Sequence, residues 1–172
     1  MSTVGGHDER LAWAAGEISR WFPAAARDLP WRRVRTPWRA LVSEFMLQQT
    51  QVSRVAERFE PFLTVFPSPK AMAEAGEDAV LAKWSGMGYY RRARLLHAAA
   101  VSIVEHHGGV VPEDAATLET LPGVGRYTAG AIASIACGQA APIVDGNVDR
   151  VFARLTGAVS YTHLRAHETA TY

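Results

Sequence analysis

Apolar residues in this chain recur at helical spacing through most of its 172 residues, and no run alternates with a period of two for long. Strands need that alternation or a compact β-branched run, so the pattern predicts an all-α architecture with short connections. Two cap-plus-proline pairs mark helix starts. Thr36-Pro37 opens a helix to about Gln48, and Ser68-Pro69 opens a short one that ends before Gly76. Between them a helix from Thr50 carries Val52, Val55, Ala56, Phe59, Leu63 and Phe66 on one stripe. Further helices are expected over about 77–84, 90–107 (closed by Gly108-Gly109), 115–121 and 126–137. A last helix should begin near Asn147, where Val148, Val151, Phe152 and Leu155 follow the i, i+3, i+4, i+7 rule.

Composition excludes several function classes. A single cysteine, Cys137, leaves no internal disulfide and no self-sufficient cysteine metal cluster, and it is most economically a small core residue. The six histidines, at 7, 97, 106, 107, 163 and 167, have no ligand-like spacing. The longest apolar stretch, 129–144, is broken by Gln139 and Pro142 and falls short of the roughly 20 residues of a membrane span. The opening residues lack the charged-then-apolar order of a signal peptide, so a cytoplasmic protein that does not enter membranes is expected. Net charge is only +1, but of the 18 basic residues all except Lys70 and Lys83 are Arg. Arginine grips phosphate with a planar fork, whereas lysine is the residue that forms Schiff bases.

Four segments can carry chemistry. In LETLPGVGRYTAGAI, residues 118–132, two helices meet at a turn whose Gly123 and Gly125 permit unusual backbone angles. The amides of Gly123, Val124, Gly125 and Arg126 and the positive end of the next helix dipole would suit a phosphate; the plainer reading is a helix–helix turn. In PIVDGNVDRV, residues 142–151, Asn147 is expected to cap the last helix, leaving Asp145 facing a cleft. In SEFMLQQTQV, residues 43–52, Glu44 stands at the edge of an apolar face made by Leu41, Val42, Phe45 and Leu47. Desolvation there would raise its pKa and suit a proton donor; the alternative is an exposed surface Glu paired with Arg39 or Gln48. The amides of Gln48, Gln49 and Gln51 at a helix break can bond base edges, or merely be solvated. In WSGMGYYRRARLL, residues 84–96, a glycine turn presents Tyr89 and Tyr90 before Arg91, Arg92 and Arg94, as a base-stacking and phosphate-neutralising surface would. LPWRRVRTPWR adds Arg32, Arg33, Arg35 and Arg39 without an acidic residue.

Taken in order, LPWR, SEFMLQQTQV, W-G-M-G-YY-R-AR-L, LPGVGRYTAGAI and PIVDGNVDRV resemble the helix-hairpin-helix DNA glycosylase superfamily, specifically its MutY-type adenine DNA glycosylases, over about 29–155. The resemblance implies a six-helix barrel with a helix-hairpin-helix and, in this chain, an incomplete second helical lobe. It divides the chain into an N-terminal helix at 1–28, a barrel at 29–138, an aspartate loop with the start of the second lobe at 139–158, and a tail at 159–172. It also implies base excision repair: hydrolytic removal of adenine mispaired with 8-oxoguanine or guanine in double-stranded DNA, by a monomer. Glu44 would protonate the flipped adenine, Asp145 would stabilise the cationic sugar, and Asn147 would hold that carboxylate and the substrate. Tyr127 matches a family tyrosine near the sugar, Gln49 and Tyr89 match residues that probe or wedge the mispair, and Leu47 and Arg32 match contacts around the adenine pocket.

Bifunctional relatives resembling endonuclease III carry a Schiff-base lysine where this chain has Tyr127, so a monofunctional enzyme is expected. Thymine-mismatch glycosylases share that tyrosine and are the alternative. The family also carries a 4Fe-4S cluster on four cysteines; this chain lacks those ligands, and the full-length parent is expected to hold them. The tail at 159–172 leaves the family pattern and resembles translated sequencing-adapter sequence, so the parent gene is expected to be longer. A chain whose second lobe cannot fold would be a non-catalytic DNA-binding piece.

Overall fold

The computed structural model describes residues 5–156, and the expected tail at 159–172 lies outside them. Every regular element among the described residues is a helix. Asp28–Ile143 forms one compact unit, and the helices on either side of it belong to another.

The larger unit contains α2 (Pro30–Arg33), α3 (Pro37–Leu47), α4 (Val52–Val65), α5 (Pro69–Ala75), α6 (Glu77–Lys83), α7 (Arg91–His107), α8 (Ala115–Leu118) and α9 (Arg126–Ile135). Both cap-plus-proline starts act as their chemistry demands. The Thr36 hydroxyl accepts from the Arg39 amide at 3.2 Å, and the Ser68 hydroxyl accepts from the Ala71 amide at 3.2 Å. Gly108, left-handed at φ 61°, stops α7. The stripe expected on α4 is its buried face: Val55, Phe59 and Leu63 point inward with Phe62, and Phe66 follows at the helix end. Around them the core closes on Phe45, Met72, Trp84, Leu96, Ile103, Leu118 and Ile132, with edge-on ring pairs Phe62–Phe66 at 4.9 Å and Phe62–Trp84 at 5.8 Å. The Trp38 indole N–H is satisfied inside this core by the Phe66 carbonyl at 3.0 Å.

Helix ends account for the differences from expectation. The helix expected over 115–121 stops at Leu118, where the Glu119, Thr120 and Leu121 amides bond back into a tight turn instead. The one expected to reach Cys137 stops at Ile135, leaving the cysteine half-buried against the core. The single-turn α2 was not anticipated. Pro30 starts it and the Arg32 amide bonds the Leu29 carbonyl at 2.8 Å, too short a stretch for a periodic signal.

In the smaller unit α1 (Gly5–Ala25) and α10 (Gly146–Thr156) pack on each other. Both keep large apolar side chains exposed: Trp13, Ile18, Trp21 and Phe22 on α1, and Val151, Phe152 and Leu155 on α10. No helix among the described residues is long and apolar enough to cross a membrane.

Of the two hairpin glycines only Gly123 takes a left-handed backbone, at φ 75°; Gly125 is extended at φ −93°. A side chain at 123 would also collide with its surroundings, its Cβ falling 2.8 Å from Leu95 Cβ and 3.0 Å from the Phe45 ring. Gly123 is therefore what lets the hairpin lie against α3 and α7. Gly123→Ala should cost about 2–4 kcal/mol through strain and overpacking. A thermal melt should register this as a fall of roughly 5–15 °C, and an unchanged transition would contradict the packing described.

Candidate functional site

α3 carries Glu44 on the helix that packs against α9, the second helix of the hairpin. Its neighbours in sequence, Ser43, Phe45 and Met46, are buried, and Glu44 is half-buried. Neither partner considered for it is in place. Arg39 is committed to Glu60, to the Val34 carbonyl at 3.1 Å and to the Pro30 carbonyl at 3.3 Å; Gln48 offers only its backbone N–H, to the Glu44 carbonyl at 3.3 Å. Desolvation without a compensating cation pushes the Glu44 carboxyl up to about 7. At neutral pH such a group holds a proton it can give away.

The turn between α3 and α4, Arg54 on α4 and the loop before α7 together form an open cleft of about 530 Å³, lined by Gln49, Thr50, Gln51, Arg54 and 86–90. Gln49 and Tyr89 both line it, and both have left-handed backbones, at φ 53° and 47°. Among the described residues they are the only non-glycines with positive φ. Such angles are strained for side-chain-bearing residues and persist only where surrounding bonds enforce them. Tyr89 is 62% exposed, Tyr90 is 42% exposed and Gln49 is exposed, so each side chain is available to a ligand in the cleft. Leu47 is half-buried against the core, Gln48 is exposed, and Arg32 is half-buried at the end of α2.

At the hairpin, Val124 is buried while Gly125, Arg126 and Tyr127 are exposed. Gly125 is the N-cap of α9 and brings no side chain to that end, where the first amides of a helix have no partner within it. A helix end of this kind has the chemistry to receive an anion, and Tyr127 lies in its first turn.

In the smaller unit the capping roles are the reverse of those expected. Asp145, not Asn147, caps α10: its Oδ1 accepts from the Val148 amide at 2.8 Å and from the Asn147 amide at 3.0 Å. The Asn147 side chain lies one residue inside the helix, donates to Asp145 Oδ2 at 2.9 Å and accepts from Arg150. The Val148 amide above all, with the Asn147 amides and the nearby Arg150 charge, holds the Asp145 carboxyl below its usual range. Asp145 is thus a fixed anion at neutral pH.

Four arginines read as a phosphate surface are otherwise engaged: Arg94 pairs with Glu77 at 3.3 Å, and three more are held as follows. Arg33 forms a two-bond pair with Asp28, at 2.8 and 2.6 Å. Arg39 is held as described, with its guanidinium 4.9 Å from the Phe59 ring centre. Arg92 is 6% exposed and bonds backbone carbonyls. A four-thiolate cluster does not fit this chain's own residues, since Cys137 is the sole cysteine, and the described residues contain no group of three or more His, Cys, Asp or Glu that could hold a metal ion.

The sequence matches the family model of the HhH-GPD superfamily base excision DNA repair proteins over residues 42–169. It is 49% identical over 139 residues to an adenine DNA glycosylase of Mycolicibacterium smegmatis, an alignment covering 80% of this chain and 47% of the relative. The chain thus spans about half the length of the curated relatives it matches. The fold is similar to that of a thermostable thymine-DNA glycosylase, at TM-score 0.81 and 26% identity, covering 95% of this chain and 77% of that one. It is also similar to endonuclease III in a non-covalent complex with DNA, at TM-score 0.76 and 26% identity, covering 95% and 75%. A family match over most of the sequence, on an all-helical fold shared with glycosylases, establishes that the chain belongs to the HhH-GPD superfamily of base excision DNA repair proteins.

Proposed function

We propose that the chain carries the base-excising part of a monofunctional adenine DNA glycosylase acting, as a monomer, on adenine opposite 8-oxoguanine or guanine in double-stranded DNA. The observation that carries this reading is Glu44: a half-buried carboxyl, raised to about 7 and without an ion pair among the described residues. Adenine is a poor leaving group until protonated, so a donor poised near neutrality is what its removal needs. A base within the duplex is out of reach, so the adenine must first be flipped out.

In the proposed step the Glu44 proton passes to a ring nitrogen of the flipped adenine. The N-glycosidic bond breaks with its electron pair going to the base, and positive charge develops on the sugar. Asp145, kept ionised by its amide donors, stabilises that charge until water adds to the sugar carbon and releases a proton. Asn147 keeps the Asp145 carboxylate oriented, and Tyr127 stands by the sugar. Gln49 and Tyr89 enter the stack at the mispair, Arg32, Leu47 and Gln48 border the adenine, and the backbone of Gly123, Val124, Gly125 and Arg126 takes a phosphate.

The 49% identity to a relative named an adenine DNA glycosylase favours adenine over the thymine reading suggested by the shared tyrosine. Single-turnover base release on duplexes carrying adenine opposite 8-oxoguanine and thymine opposite guanine tests this. Release of adenine without strand nicking is expected, since no lysine occupies position 127. Release of thymine instead would overturn the substrate, and mispair binding with no release would reduce this chain to a DNA-binding module.

A further inference from the structure

The two strained residues of the cleft lie on segments far apart in sequence, and one buried side chain is bonded to both. Arg92 Nη1 donates to the carbonyls of Phe45 and Met46, each at 2.9 Å, and to that of Gln48, closing the last turn of α3. Its Nη2 donates to Thr50 Oγ1 at 2.8 Å, to the Gly88 carbonyl at 3.2 Å and to that of Met87 at 3.4 Å. Nε reaches the Tyr89 carbonyl at 3.4 Å. The guanidinium also lies 5.3 Å from the Trp84 ring centre and 5.6 Å from that of Tyr89. Gln49 is therefore flanked on both sides, at Gln48 and Thr50, by bonds to the guanidinium that also holds Gly88 and Tyr89. The Arg54 Nη1 bond to the Gly86 carbonyl, at 3.0 Å, ties the same loop to α4 but does not reach the Gln49 segment.

We propose that Arg92 is a positioning residue for mispair recognition: a single buried guanidinium sets Gln49 and Tyr89 in register with each other across the cleft. This rests on the glycosylase reading above. Only a planar fork with several fixed N–H directions can serve so many acceptors on two segments; an ammonium at the same place offers three donors from one point. Arg92 touches neither base nor phosphate in this role, so its loss should alter which duplexes are preferred before it alters non-specific adhesion to DNA.

The test uses the full 172-residue chain with Arg92→Lys, measuring affinity for duplexes with and without an adenine:8-oxoguanine mispair, beside a thermal melt. Small misplacements of recognising groups cost up to about 100-fold, so mispair selectivity should fall by about 10- to 100-fold while matched-duplex affinity holds. A folded Arg92→Lys chain with undiminished selectivity would overturn the proposal. Should that variant not fold, Thr50→Val carries the test by removing one Arg92 acceptor while leaving the guanidinium in place. A several-fold loss of selectivity then supports the proposal, and none overturns it. A wild-type chain with no mispair selectivity would instead strike the glycosylase reading, which separates the two failures.

Discussion

Glu44→Gln should lower single-turnover adenine release by about 10²- to 10⁴-fold, the usual contribution of a general acid, while leaving mispair affinity within a few-fold of wild type. The amide keeps the size and much of the hydrogen bonding of the carboxyl but carries no transferable proton. The same substitution carries a stability signature of opposite sign. Burial raises the folded-state pKa of Glu44 to about 7, above its value in the unfolded chain. Folding therefore favours the protonated form, and the stability this group supports below the ordinary carboxylate range is lost as pH rises toward and through about 7. Above that, the wild type must keep a half-buried carboxylate without a cation beside it. Glu44→Gln should accordingly melt higher than wild type in alkaline buffer and much like it in acid, as calorimetry at the two pH values would show. A variant less active yet more stable above neutrality is hard to explain by damage to the fold. Equal activity in wild type and variant would remove Glu44 as the acid.

Asp145→Asn is the second large effect expected: a loss of about 10²- to 10³-fold in base release, on the scale of removing one preorganised electrostatic stabiliser. The new side chain can still accept from the Val148 and Asn147 amides, and asparagine caps helices about as well as aspartate, so α10 should remain capped. What goes is the negative charge, together with the Asn147 Nδ2 contact, where two donors would now face each other. Asp145→Ala separates the two functions by adding the loss of the cap, about 1 kcal/mol of stability, to a similar loss of rate. If Asp145→Asn released adenine at the wild-type rate, this carboxylate would be a helix cap and nothing more.

The opposite pKa shifts of the two carboxyls follow from their surroundings. Glu44 emerges within an apolar helix face with no cation or amide to favour its charge, so desolvation wins. Asp145 accepts three hydrogen bonds that favour the ionised form, and they outweigh its slight burial. One side chain is thereby kept as an acid and the other as an anion at the same pH, the division of labour that glycosidic cleavage exploits.

Much of this was legible in the residue order. The cap-plus-proline pairs at 36–37 and 68–69, the glycine stop after α7 and the stripe on α4 are local signals, and local bonds decide those features. The position of Glu44 beside buried neighbours was legible as well, but its lack of a partner was not. That depends on Arg39 turning to Glu60, 21 positions away. Arg92 was misread because it stands among Arg91 and Arg94, which look like one basic surface. A signal was present all the same: Arg92, Leu96, Ala99 and Ile103 share one helical stripe, and α7 buries it. The exchange of roles between Asp145 and Asn147 turned on a helix cap displaced by two residues, from 147 to 145. The left-handed backbones of Gln49 and Tyr89 have no residue-type signal: bonds from Arg92, more than 40 positions away, hold the peptides beside Gln49, and shorter-range bonds from the same guanidinium hold Gly88 and Tyr89.

The most direct test of the central claim is the pH dependence of single-turnover adenine release from an adenine:8-oxoguanine duplex. Measured between about pH 5 and pH 9, the wild-type rate should fall as pH rises through about 7, following deprotonation of Glu44, while the residual Glu44→Gln rate should lack that inflection. A wild-type profile with no inflection near neutrality, or one that Glu44→Gln reproduces, would contradict the assignment of Glu44 as the proton donor.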